Sequence, residues 1–227
     1  MIWLIAAALV LALVFGPSLW VRRVLARYSS PEDRYSATGA VLARHLLDKH
    51  ELQHVEVEQT EAGDHYDPQT KVVRLSEHNF NRCSLTAITV AAHEVGHAVQ
   101  DHTGYKPLRW RSHLVRFAQP IERLGAGVLM LAPLVGLVLR VPGAGLLMFL
   151  AGFLTLGTST LVHLVTLPTE FDASFGRALP MLDEEEVLID GDRPHASKLL
   201  TAAALTYAAA SLMSLLNIAR WWAILRR

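Results

Sequence analysis

Two histidines four positions apart, with a glutamate after the first, carry the strongest chemical signal in the chain: His93-Glu94-Val95-Gly96-His97. On an α-helix, residues four apart stand one turn apart on the same face, so both imidazoles can reach one ion. Glu94 sits beside that ion rather than on it, where it can take a proton from a water and later pass it to a leaving amine. The H-E-x-x-H pattern therefore predicts one zinc per chain, with His93 and His97 as ligands and Glu94 as the general base of peptide hydrolysis. Gly96 leaves room for close packing or for substrate, and small Ala91, Ala92 and Ala98 also surround the motif.

A catalytic zinc of this type needs a third protein ligand and keeps one position open. In the elongated metzincin pattern that ligand is a histidine at position 103, which here is Thr103, and His102 is at the wrong offset. The other class takes a glutamate from a later helix. The best candidate is Glu170, in Thr169-Glu170-Phe171-Asp172-Ala173-Ser174, the first carboxylate after an apolar out-and-back stretch that returns the chain to the side it left. Asp172 or Ser174 could then hold a histidine ring nitrogen. Glu170 also fits a simpler role as a first-turn charge favoured by the helix dipole. Glu122, Asp183 and the run Glu184–Glu186 compete with it as ligands. His65 and Tyr66, and Arg109 beyond the motif helix, are candidates for contacting substrate or a developing oxyanion; turn formation and interfacial placement are the simpler roles. His163 is an ionisable group within an apolar run and is a functional candidate on that ground.

These side chains must be positioned by a small α+β unit. Thr38–Lys49 has helical spacing, with Val41, Leu42, His45 and Leu46 on one face. His54–Gln59 and Lys71–Leu75 read as short strands with a turn at 66–70 between them. Ser84 can cap a helix running to Asp101, closed by Gly104 and Pro107.

Around this unit the sequence is strongly apolar, at 52% hydrophobic residues, and four runs stand out: Ile2–Val21, Leu124–Leu139, Leu146–Leu167 and Leu199–Ala219. Each approaches the length of roughly 20 residues that spans a bilayer. The expectation is an integral membrane, mainly α protein with about four transmembrane helices and a small zincin-like catalytic unit. Its parts would be an N-terminal anchor (1–21), a catalytic region (22–117), a helical hairpin (118–168), a polar segment with the third ligand (169–198) and a C-terminal span with a basic tail (199–227). Basic residues near the span ends, among them Arg22, Arg23, Arg27, Arg109, Arg111, Arg116 and Arg123, favour a cytoplasmic catalytic region. The 21 basic and 21 acidic side chains balance, so nothing points to a nucleic-acid partner. The single cysteine, Cys83, cannot form an internal disulfide.

The motif His93-Glu94-Val95-Gly96-His97-Ala98-Val99-Gln100, with Asp64-His65-Tyr66-Asp67-Pro68 before it and Glu170-Phe171-Asp172-Ala173-Ser174 after it, resembles the YugP-type bacterial membrane zinc peptidases. The resemblance runs along nearly the whole chain. It implies a gluzincin in a bacterial cell membrane, with His93, His97 and Glu170 as zinc ligands and Glu94 as base. More distantly the chain is similar to HtpX-type and CAAX-prenyl-type membrane endopeptidases. Those usually carry Asp four residues after the glutamate ligand, where this chain has Ser174, with Asp172 two residues on. The expected function is zinc-dependent endopeptidase action on a peptide or membrane-protein substrate at a lipid bilayer. The rivals are a membrane scaffold with a structural metal site and a zinc hydrolase of a non-peptide bond. Glu94 argues against the scaffold, because structural zinc sites are normally closed by four ligands. The sequence carries no signal for an oligomeric state.

Overall fold

The computed structural model of the protein describes residues 2–139, 150, 151, 162, 165–206 and 209. In chain order the elements are α1 (Ile2–Arg27), α2 (Gly39–Lys49), β1 (Glu56–Thr60), β2 (His65–Asp67), β3 (Val72–Ser76), α3 (Glu77–Asn81), α4 (Leu85–His102) and α5 (Lys106–Leu139). Helical residues 165–171 (α6) then lead into a π-helix at Asp172–Ala178, α7 (Leu179–Glu184) and helical residues 193–206 (α8). The chain divides into two compact units. One consists of Leu19–Arg109 and Leu167–Thr206; the other consists of Met1–Ser18, Trp110–Thr166 and Tyr207–Arg227, much of which lies outside the described residues.

The first unit is built around α4. Ser84 starts this helix, its hydroxyl accepting the Ala87 N–H at 3.1 Å, which satisfies one of the donors a helix start leaves open. At the other end Tyr105 N–H reaches the Gln100 carbonyl at 2.8 Å and Gly104 N–H reaches that of Asp101 at 3.0 Å. Gly104 has φ +66°, so this is a Schellman ending that a residue with a Cβ would strain. Every residue from Leu85 to Gln100 is buried, as expected of a helix enclosed by its own fold. On it pack α2, capped by Thr38 at the Val41 N–H, and the π-helix.

The sheet has strand order β1-β3-β2, with β1 parallel and β2 antiparallel to β3. Val73 at its centre is level with Val57 on one side and Tyr66 on the other. β2 falls where the sequence reads as a turn: Tyr66 and Asp67 pair with β3, and the turn proper begins at Pro68. There the Asp67 carboxylate accepts from Gln69 N–H and the Thr70 hydroxyl, an Asx arrangement.

The expectation of four membrane spans is corrected: among the described residues, no helix is long and apolar enough to cross a membrane. Part of the reason is visible at the ends of two of the runs. Val21 and Val24 of α1, and Leu199, Leu200 and Ala202 of α8, belong to the same buried cluster as Leu46, Leu75, Ile88 and Val95. An enclosed core helix and a lipid-facing helix both read as continuous apolar sequence, and here the ends of two such runs are core. In α5, Lys106, Arg109, Arg111 and Arg116 occupy the first turns of one continuous helix. The run Leu146–Leu167 and the end of Leu199–Ala219 lie largely outside the described residues, as does His163.

Candidate metal centre

His93 and His97 project from the middle of α4, and their Nε2 atoms converge on one oxygen. Glu170 Oε2 lies 3.3 Å from His93 Nε2 and 3.2 Å from His97 Nε2. The two rings meet edge to face at 78°, with centroids 4.8 Å apart. All three side chains are buried, Glu170 completely. The three form a group whose ligand atoms lie within 4.8 Å of one another and could hold a metal ion. The spacing fits zinc: donors about 2.0–2.1 Å from a tetrahedral ion stand about 3.3 Å from each other. The donor set also suits it, since two imidazoles and a carboxylate match a borderline divalent ion, and a carboxylate buried this deeply calls for a compensating cation or hydrogen bonds.

Helix α6 and the π-helix bring Glu170 to α4. The helix runs without a break through Pro168 and widens to π geometry from Asp172 to Ala178, a feature that recurs at functional sites. Gly96, between the two histidines, makes the approach possible: a Cβ there would lie 2.6 Å from the Ala173 carbonyl oxygen.

The outer nitrogens of both rings are also engaged. Ser174 Oγ lies 3.0 Å from His93 Nδ1 and donates to the Leu200 carbonyl at 3.2 Å. His97 Nδ1 lies 2.9 Å from Gln100 Oε1. Asp172 touches neither ring; it accepts from Gln100 Nε2 at 2.8 Å and from Arg177 Nε at 3.2 Å. Sequence reasoning gave Gln100 no role. Its one signal was position, three residues after His97 and so on the same helical face.

Glu94 is buried on α4 beside His93. The remaining candidates have other contacts. His65 Nδ1 bonds the Gly63 carbonyl at 2.8 Å. The Tyr66 hydroxyl donates to Asp101 at 2.7 Å, tying β2 to the end of α4; burial and then Asp101 raise its pKa above the ordinary tyrosine value. The Arg109 guanidinium packs over Gly104. None of these contacts involves the three converging side chains.

Helix-borne histidines at this spacing, closed by a glutamate from a later helix, define a zinc-metallopeptidase type of centre. Over residues 1–226 the sequence matches the family described as "Putative neutral zinc metallopeptidase", and the chain belongs to that family. It is similar to the "Putative membrane protease YugP" of Bacillus subtilis (strain 168), at 36% identity over 226 residues covering 97% of this chain and 95% of the relative. No solved structure matches. Zinc is the family's metal, and the His93, His97 and Glu170 group could bind it.

Proposed function

We propose that the protein is a zinc-dependent endopeptidase in which His93, His97 and Glu170 hold the metal and Glu94 is the general base. The observation that carries this reading is the convergence of both Nε2 atoms on Glu170 Oε2 at 3.3 and 3.2 Å. When bound, zinc supplies Lewis acidity, polarising the scissile carbonyl and acidifying a water. The Glu94 carboxylate would take a proton from the attacking water as its oxygen bonds to the scissile carbonyl carbon. Glu94 then gives the proton to the nitrogen as the C–N bond breaks, leaving a carboxylic acid and an amine. Ser174 and Gln100 keep the two rings from turning away.

The relative's description as a membrane protease supports a place at a bacterial membrane, with a peptide or membrane protein as substrate. The exposed side chains of Trp110, Phe117, Ile121 and Leu124 on α5 suit an apolar surrounding. Arg22, Arg23 and Arg27 fit the anionic cytoplasmic face.

Metal analysis of purified full-length variants tests the site. Replacing His93, His97 or Glu170 with Ala should leave much less than one zinc per chain. Full zinc in any of the three would remove that residue from the ligand set.

A further inference from the structure

We propose that Gln100 is a positioning residue for the metal centre: its side-chain amide, held by the Thr169 carbonyl and Asp172, sets His97 in the tautomer whose Nε2 is free to bind metal. The inference rests on His97 being a ligand and adds what presents it.

The argument follows from which groups can donate. Gln100 Nε2 lies 2.8 Å from the Thr169 carbonyl oxygen and 2.8 Å from Asp172 Oδ2. A carbonyl only accepts, and Asp172 Oδ2 is the same oxygen that accepts from the Arg177 guanidinium. The NH2 end of the amide is therefore fixed on that side, and Oε1 must face His97. Oε1 can only accept, so the proton lies on His97 Nδ1, across 2.9 Å. A neutral imidazole with Nδ1–H has its lone pair on Nε2, the atom 3.2 Å from Glu170 Oε2. Gln100 is fully buried, and its two donors and its acceptor all have protein partners.

Thr169 and Asp172 flank Glu170, so the segment that supplies the third ligand also fixes the residue that orients the second. Arg177, Asp172, Gln100 and His97 form one hydrogen-bonded row ending at the metal position. Ser174 does the matching work for His93: its hydroxyl proton goes to the Leu200 carbonyl, leaving a lone pair for Nδ1–H. The row explains why Asp172, though it touches neither histidine, is held against α4.

The test uses the full-length protein and three readouts. Zinc affinity, measured by chelator competition, should fall about 10- to 100-fold in Gln100→Leu, and the visible spectrum of the cobalt-substituted protein should shift. Long-range proton–nitrogen NMR of the metal-free wild-type protein above neutral pH should show His97 with its proton on Nδ1; this readout decides the matter if Gln100→Leu does not fold. A metal-free His97 with no proton on Nδ1, or wild-type affinity and an unchanged cobalt spectrum in Gln100→Leu, overturns the inference. Zinc retained in full by His97→Ala would instead overturn the ligand assignment beneath it.

Discussion

Gly96 and Ala173 approach through their backbones beside the His93, His97 and Glu170 group: a Cβ on Gly96 would stand 2.6 Å from the Ala173 carbonyl oxygen. Gly96 lies between the two histidines in sequence, and Ala173 lies three residues after Glu170. The distance from α4 to the π-helix, and so from the imidazoles to the carboxylate, is set by a missing side chain. Gly96→Ala should force the helices apart, because the opposing atom is backbone and cannot swing away. The expected result is a stability loss of about 1–3 kcal/mol, as for other overpacked sites, with a larger proportional loss of zinc affinity. Chemical denaturation and chelator competition on the same preparation check both; full zinc affinity in Gly96→Ala would show that the contact does not set the ligand spacing.

Ser174→Ala removes the partner of His93 Nδ1. The buried N–H is left without an acceptor, at a cost of about 1–3 kcal/mol, and the ring loses what orients it. Zinc affinity should drop about 10- to 100-fold, while Ser174→Thr, which keeps the hydroxyl, should be milder. Equal loss in both variants would point to packing in place of the hydrogen bond.

Acid stability should depend on Asp192. This carboxylate is buried and accepts from Arg34 Nε at 2.7 Å, Arg34 Nη2 at 2.8 Å and the Tyr35 hydroxyl at 2.5 Å. Burial pushes its pKa up, but the hydrogen bonds from Arg34 and Tyr35 outweigh burial and hold it below the ordinary carboxylate value. A group depressed in the folded state contributes stability above its unfolded pKa of about 3.9 and loses it as the pH falls through the folded value. Thermal melting from about pH 5 down to about pH 3 should therefore show a fall that is smaller in Asp192→Asn. That variant should also melt lower than wild type at neutral pH. Identical acid limbs in the two proteins would show that other carboxylates govern the fall.

What the sequence made legible was local. Ser84, the H-E-x-x-H spacing and Gly104 all lie within one helix and its caps, so α4 could be read nearly to its ends. Glu170 could be proposed as a ligand because it is the first carboxylate after an apolar stretch expected to return the chain, although 73 positions separate it from His97. β2 was illegible because three residues ahead of a proline have no pattern of their own; its pairing with β3 is tertiary. Gln100 stood in the motif without a role, since its partners at Thr169 and Asp172 are distant in sequence. The apolar runs misled for a physical reason. Burial in a protein core and burial in lipid select the same side chains, and Val21, Leu199 and Leu200, at the ends of two runs, satisfy the first.

The most direct measurement is peptide hydrolysis by purified Glu94→Gln that carries its zinc. The substitution removes the proton acceptor and leaves His93, His97 and Glu170 in place. Cleavage of a fluorogenic peptide should fall at least about 100-fold, as loss of a general base does, with zinc still near one per chain. Cleavage at the wild-type rate by the zinc-loaded variant would contradict the assignment of Glu94 and the mechanism built on it.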